Sequence, residues 1–320
     1  MMWTVMTPAS APDHRGLVVF GEFFLELVFF RLPTPPRLGE EVKTTSFVTA
    51  PGGGLSTTAL VASRLGTPTK AITRVGRDVL ETPAWKMLVQ SRISIEGCEI
   101  HPSLPTAMTV SAAFDGDRMM ITHDTINLNL EKLLSRKIVQ KLIRSARHLH
   151  LASSMWPPQN WMPLIHKFRR QGLTLSSDLG WNLEVLQSPS LPGLLKDLEF
   201  TFPNEGEAKA MTGEGAVEAA GRKLARWVRT PVIKLGPDGS LAVRQGKVLR
   251  MKSLRVRAVD ATGSGDAFNG GFLHGYLSGW SLEDCLRAGN VCGALATTRA
   301  GGSSAIPTRK TLRELMHKLQ

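Results

Sequence analysis

The sequence predicts an α/β fold: a mostly parallel sheet flanked by helices, with a small second sheet inserted into the same domain. Three observations predict it. Short apolar runs recur along the chain with helical patterns between them, the alternation a parallel sheet requires. Two regions, about 22–50 and 104–124, interrupt that alternation with extended, turn-rich sequence. No low-complexity linker or internal repeat divides the 320 residues, so the small sheet belongs inside the larger domain rather than in tandem with it.

The elements follow in order. Residues 1–15 lack the basic start and apolar run of a secretory signal and read as a flexible tail. Residues 16–20 (GLVVF) form a first buried strand. The apolar stretch 17–30 is short for a membrane span and carries Glu22 and Glu26, which excludes a transmembrane helix. A Pro-rich turn (LPTPPRLG, 32–39) and an extended run over 41–49 come next. Residues 50–66 (APGGGLSTTALVASRLG) lead through three glycines into a helix whose Ala59 and Ala62 allow close packing and which Gly66 closes. Residues 106–114 and 118–122 read as a hairpin around Asp115-Gly116, a pair suited to a tight turn. Residues 131–146 read as one helix, with Leu134, Ile138 and Leu142 toward the core and Lys and Arg opposite. Further strands are expected over 147–152, 173–177, 198–202 and 231–235.

Composition narrows the function. Hydrophobic residues make up 42% and charged residues 21%, the balance of a soluble globular chain. Lys and Arg outnumber Asp and Glu by 39 to 27, a net charge of +12. With no nucleic-acid motif beside it, that charge reads as the basic surface of an enzyme handling anions; neither a nucleic-acid nor a membrane partner is expected. Cys98, Cys285 and Cys292 are odd in number and lack metal-ligand spacing, so neither a disulfide framework nor a zinc site is expected, and a reducing cytoplasm suits them.

The chemistry concentrates in residues 259–279 (VDATGSGDAFNGGFLHGYLSG). A strand ends near Val259, Gly263 and Gly265 open a turn, and a helix follows with Phe268, Phe272 and Tyr276 at four-residue spacing before Gly279. The amides of such a turn and the positive end of the helix can hold a phosphate. Asp266, in the first helical turn, can take the proton of an attacking hydroxyl. Spacing alone leaves a second reading open, a plain helix start whose Asp favours the N-terminus. Phe268 occupies the place of the third glycine of a G-x-G-x-x-G run and no Walker A sequence occurs, which argues against a dinucleotide-binding dehydrogenase and a P-loop NTPase. Gly52, Gly53 and Gly54 likewise allow two readings, a close approach of backbone to ligand or a flexible strand-to-helix turn.

These stretches together resemble the ribokinase family of carbohydrate kinases, also called the PfkB family. DATGSGDAFNGGF (260–272) matches the family's C-terminal signature, which usually reads D-T-x-G-A-G-D-x-F-x-x-G, and PGGGLSTTALVASRLG (51–66) matches its N-terminal glycine signature. RVGRD (74–78), FPNEGEAKAMTG (202–213), VIKLGPDGS (232–240) and AGNVCGALATTRAGG (288–302) stand in the family's order, so the resemblance runs from about 16 to 307.

The resemblance implies a ribokinase-like, doubly wound sheet in one kinase domain over 16–320, with lid strands drawn from about 22–50 and 104–124. It implies ATP-dependent, Mg²⁺-dependent phosphorylation of a hydroxyl on a sugar, sugar acid or nucleoside. A catalytically silent binding or regulatory protein of the same fold is the alternative, and Asp266 with its complete glycine turn argues against it. Asp266 takes the place of the catalytic base, and Gly263, Ser264 and Gly265 the centre of the anion hole. Asn204 and Glu207 fall on the N-x-x-E motif that helps hold Mg²⁺ and phosphates, largely through water; read without the family they are a polar helix cap. Lys234, Gly236 and Gly239 match the nucleotide-side strand and turn, Thr262 the loop beside it, and Asn290 the helix flanking the adenine. Several family members hold a monovalent cation such as K⁺ near the anion hole, where Asp260, Thr262 and Gly301 stand. Gly52, Gly53, Gly54 and Arg118 fall on the acceptor side, and pairing of lids into a homodimer is an option the family allows.

The departures concern the acceptor. Glu26 stands where the family usually has an Asp that bonds sugar hydroxyls, Thr57 where it often has an Asn, and Arg77 where an acidic residue is common. Residues 119–130 (MMITHDTINLNL) lack the usual Gly-Ala. The phosphate-handling half is kept and the sugar-handling half altered, so the expected acceptor is sugar-like but not ribose.

Overall fold

The structure, a computed structural model, describes residues 16–114 and 117–319. The tail 1–15, the Asp115-Gly116 turn and the side chain of Arg118 lie outside the described residues. The strands are β1 (Leu17–Gly21), β2 (Phe24–Phe29), β3 (Phe47–Gly52), β4 (Thr69–Ile72), β5 (Arg74–Gly76), β6 (Ile93–Ser94), β7 (Glu99–His101) and β8 (Met108–Phe114). They continue with β9 (Asp117–His123), β10 (His148–Ala152), β11 (Thr174–Asp178), β12 (Phe200–Thr201), β13 (Thr230–Lys234), β14 (Ser240–Arg244) and β15 (Lys247–Met251).

Nine strands form the large sheet in the order β15-β14-β13-β12-β11-β10-β1-β4-β6. Every pair from β13 to β6 is parallel, and only β13–β14 and β14–β15 are antiparallel. β1 is buried on both faces: Leu17 and Val19 enter one core, Val18 and Phe20 the other. That two-sided burial explains an apolar run without polar alternation. From β1 the chain winds outward through β4 and β6, then returns to lay β10 on the other side of β1. The direction of winding therefore reverses between β1 and β10, and the crevice beyond the carboxyl ends of those strands is where such sheets bind ligands.

β3-β2-β8-β9 form a separate small sheet, antiparallel at β2–β3 and β8–β9 and parallel at β2–β8. Of the extended run expected over 41–49, only the part from Phe47 onward enters a strand. Before it, the Thr44 hydroxyl bonds the Phe30 carbonyl at 2.9 Å and closes an irregular loop.

The single helix expected over 131–146 does not form. A 3-10 stretch, Leu130–Ser135, stops at Arg136, which is extended (φ −66°, ψ 138°), and an α-helix restarts over Lys137–Arg144. Gln140 donates its side-chain amide back to the Leu134 carbonyl, satisfying an acceptor the break leaves open. A 3-10 turn rotates faster per residue than an α turn, so the apolar stripe changes phase at the break. Leu134 and Leu142 are buried as expected, Ile138 is 38% exposed, and Val139 and Ile143 take its place in the core. Among the described residues no helix is long and apolar enough to cross a membrane.

Candidate active site

The site lies at the carboxyl ends of the central strands, where the helix Ser264–Leu277 begins. Gly263 caps that helix with φ +69°, a left-handed backbone that favours glycine. A Cβ there would meet the Gly302 Cα at 3.1 Å and the Thr57 hydroxyl at 3.3 Å, so the position also needs a residue with no side chain. The amides of the first turn have no acceptor within the helix, and those of Ser264, Gly265 and Asp266 belong to it. The Ser264 N–H turns back to the Ala261 carbonyl at 3.3 Å, and the other amides of the turn, with the helix's positive end, can hold an anion. Phe268, Phe272 and Tyr276 clamp the helix to the sheet. Phe272 and Tyr276 set their rings edge-on to Phe200 at 5.0 and 4.9 Å, and Phe272 meets Phe202 at 5.2 Å.

The helix Gly53–Arg64 packs against this one through its small residues. Thr58 donates its hydroxyl to the Asp266 carbonyl at 3.1 Å, and a Cβ on Gly270 would strike Val61 and the Thr58 carbonyl. The three glycines at its start, Gly52 as the cap and Gly53 and Gly54 in the first turn, approach acidic residues in turn. A Cβ on Gly52 would collide with the Glu26 side chain, and one on Gly53 with the Glu22 carbonyl. One on Gly54 would stand 3.1 Å from Asp266 Oδ1 and 3.0 Å from the Ala152 Cβ. The glycine triplet thus serves as close-approach backbone. Glu26, 8% exposed, lies folded over Gly52 rather than facing solvent.

Three carboxylates and one ammonium converge here. Lys234 donates to Asp178 Oδ2 at 2.6 Å, and Asn269, three residues after Asp266, donates to the same oxygen at 2.7 Å. Burial, then the charge of Asp178, with Glu207 adding and Lys234 opposing, pushes the Asp266 carboxyl up from 3.8 to about 7. Burial and Asp178 also raise Glu207. For Asp178 burial works upward, but Lys234 outweighs it and holds the carboxyl below its ordinary range. Burial pulls Lys234 down, yet Asp178, Glu207 and Asp266 together hold it above its ordinary value, so it stays charged. A buried carboxyl poised near neutrality in the first turn of a helix can accept a proton while an anion is held next to it.

Residues 15–309, nearly the whole chain, match the family described as pfkB family carbohydrate kinase. The chain belongs to that family. The ribokinase of Haemophilus influenzae is 26% identical over 317 residues, 95% of this chain and 99% of that protein. The cytidine kinase of Thermococcus kodakarensis is 28% identical over 247 residues, 76% of this chain and 86% of its relative. Among solved structures, a putative ribokinase II from E. coli in complex with ATP and Mg²⁺ superposes with a TM-score of 0.80 at 21% identity, covering 95% of this chain and all of the other. The ribokinase-like architecture, a large mostly parallel sheet with helices on both faces and a small separate sheet, is thereby shown. This chain is accordingly a carbohydrate kinase.

The remaining residues of this pfkB-family kinase can now be placed. Asn204 and Glu207 form a complete capping box: Asn204 Oδ1 accepts from the Glu207 N–H at 2.9 Å, and Glu207 Oε2 from the Asn204 N–H at 2.8 Å. An isolated parallel bridge joins Asn204 to Lys234, so the cap and the lysine are neighbours. Gly236 and Gly239 shape the tight turn between β13 and β14. Asn290 donates its amide to the Met251 and Lys252 carbonyls at 3.0 and 3.1 Å and thereby ties its helix to the end of β15. Asp260 accepts from the Thr262 N–H and hydroxyl at 2.9 and 2.7 Å and from the Gly301 N–H at 3.0 Å, which organises the loop leading into Gly263. Asp178 and Asn269 are the residues that sequence reasoning missed. The available signals were a carboxylate ending an apolar strand, at the ligand-binding edge of a parallel sheet, and an Asn sharing a helix face with Asp266.

Proposed function

We propose that this kinase transfers the γ-phosphoryl group of ATP to a hydroxyl of a sugar-like or nucleoside acceptor, with Asp266 as general base. The observation that carries the reading is the buried Asp266 carboxyl, in the first turn of a helix that begins at Gly263 and poised near neutral pH. The acceptor oxygen attacks the γ-phosphorus and its proton passes to Asp266. The bond from that phosphorus to the β–γ bridging oxygen breaks, and the electron pair leaves with ADP. The amides of the 263–265 turn face the charge that builds on the transferring group. Carboxylate oxygens suit Mg²⁺, and Glu207, which uses Oε2 in the helix cap, is assigned to hold the hydrated ion through Oε1. The metal, when bound, neutralises phosphate charge. A relative solved with ATP and Mg²⁺ on the same fold supports the assignment.

On the acceptor side, the small sheet is proposed as the lid, bringing Glu26 over the glycine triplet. The test is a coupled ADP-release screen over pentoses, hexoses, sugar acids and nucleosides with Mg²⁺ and ATP. Acceptor-dependent ADP release is expected for at least one of them. ADP release that no acceptor raises above background would refute the reading.

A further inference from the structure

β10 and β11 carry a polar row on the face toward the Asp266 helix. Their register sets His148 beside Thr174, His150 beside Ser176 and Ala152 beside Asp178. The two histidines pack edge-on against Tyr276 and Phe202. His148 bonds Thr174 and Ser176, both at 2.7 Å, and His150 bonds Ser176 at 2.8 Å. The row ends at Asp178, and there its purpose changes from joining two strands to joining three elements. One oxygen, Oδ2, accepts from Lys234 of β13 and from Asn269 of the Asp266 helix.

The lysine so held is not at the periphery. A Cβ on Gly265 would stand 3.1 Å from its Nζ, which places the ammonium directly against the 263–265 turn. The side chains of Lys234 and Asp178 are 14% and 11% exposed. Desolvating such a pair offsets much of its attraction, so stability alone is a weak reason to bury it. Placing it beside two further carboxylates is weaker still as a device for stability, and more in keeping with a site that needs a cation in one place.

We propose that Asp178 is the positioning residue of the phosphoryl-transfer site: it pins the Lys234 ammonium against the 263–265 turn as a fixed cation for the transferring phosphoryl group and steadies the Asp266 helix through Asn269. The proposal rests on the kinase reading given above. Asp178 is assigned to act through Lys234 and Asn269, both of which donate to its Oδ2. Its removal frees Lys234 to swing toward Asp266 and Glu207, the other acids that act on it.

The test uses the full chain, with ATP, Mg²⁺ and whichever of ribose, fructose, gluconate and cytidine gives the fastest ADP release. Asp178→Asn is expected to lower kcat about 10²-fold, the scale of a lost transition-state charge contact, with the acceptor KM within about threefold of the parent's. The pH profile separates positioning from mere structure. Asp178, Glu207 and Lys234 act on Asp266. Removing the negative neighbour should move the acid limb of kcat to lower pH, whereas Lys234→Met should move it to higher pH. A purely structural role would reduce the amount of folded enzyme and leave kcat per folded molecule at the parental value. If Asp178→Asn does not fold, the double variant Asp178→Asn/Lys234→Met, which buries no lone charge, carries the test; it is expected to fold and keep the kcat deficit. Parental kcat in either folded variant, or limbs that stay put or move together, would overturn the positioning role alone. A parent chain that releases no ADP with any acceptor refutes the kinase reading, and this proposal with it.

Discussion

Replacing Asp266 by Asn tests chemistry and electrostatics together. Burial, the charge of Asp178 and that of Glu207, against the pull of Lys234, place this carboxyl at about 7 instead of 3.8. A base of that strength is half ionised near neutrality and about a tenth ionised one pH unit lower, so kcat of the parent should fall tenfold per unit below about pH 7. Asn cannot take the proton, and loss of a general base typically costs about 10²–10⁴ in rate, or roughly 3–5 kcal/mol of barrier. The same burial predicts a second effect of opposite sign. Folded, Asp266 keeps its proton up to about pH 7; unfolded, it releases it near 3.8. Between those values the folded chain binds the extra proton, so stability is full below the lower value and is lost as pH rises through the upper one. At ~1.4 kcal/mol per unit, the displacement sets a ceiling on the order of 4 kcal/mol. Asn carries no charge and removes that cost. The variant should therefore be inactive at pH 8 and melt several degrees above the parent there, with the difference vanishing below about pH 4. Steady-state ADP release from pH 5 to 9 and melting curves at pH 4 and pH 8 measure both. A variant that keeps most of its kcat refutes the base, and equal melting temperatures at pH 8 refute the electrostatic argument.

Three further outcomes are expected. Glu207→Gln should raise the Mg²⁺ concentration needed for half-maximal rate while leaving the acceptor KM nearly unchanged; an unaltered Mg²⁺ titration would rule the metal role out. Glu26→Gln should reorder kcat/KM among acceptors, with ribose not the best for the parent, because a buried carboxylate that accepts from acceptor hydroxyls, the role proposed for Glu26, would discriminate among their patterns; an unchanged ranking, or ribose in first place, would sink this. Gly54→Ala should lower kcat about tenfold with little change in melting temperature, since its Cβ would press on Asp266 Oδ1 at 3.1 Å; parental kcat would show that the carboxylate has room to move.

The geometry of the turn proposed to handle phosphate was legible because its physics is local. A left-handed turn needs glycine, a helix N-terminus supplies amides, and a carboxylate in the first turn is fixed relative to both, so Gly263, Ser264, Gly265 and Asp266 can be read from one continuous segment. The buried strands were legible for a similar reason, because a strand covered on both faces must be apolar throughout. Asp178 was not legible in this way. Its meaning depends on Lys234, 56 residues away, and on Asn269, 91 residues away, and nothing in SSD marks that meeting. The helix over 131–146 failed for another reason: the apolar spacing is genuine, but one extended residue at Arg136 resets its phase, and no Gly or Pro announces the break. The capping box bears out the helix-cap reading of Asn204 and Glu207, and it is compatible with the role proposed for them. The hydrogen bonds that start the helix also hold the carboxylate in place.

The charges of the site set a condition that its parts taken singly do not reveal. The chain carries a net +12, yet the groups that converge on the glycine turn are Asp178, Glu207 and Asp266 against Lys234 alone. Asp178 pairs with Lys234 at 2.6 Å, so even with that ammonium aimed at the turn, negative charge exceeds positive around the place proposed for a triphosphate. Like charges at such range repel strongly in a partly desolvated site. If ATP binds there, something must balance them, and three means are at hand. A divalent ion held by Glu207 would supply two positive charges, the first-turn amides would supply the partial charge of a helix end, and the raised proton affinity of Asp266 would keep it neutral below about pH 7. The raised affinity of Asp266 for a proton would then help admit an anionic nucleotide, and the same carboxyl would act as a base once that charge is balanced. That order links the metal to the pH dependence of Asp266: in the parent, lowering Mg²⁺ should push the acid limb of kcat toward higher pH, because Asp266 then faces more uncompensated phosphate charge, whereas Glu207→Gln also removes a charge that raises Asp266 and so works against that shift.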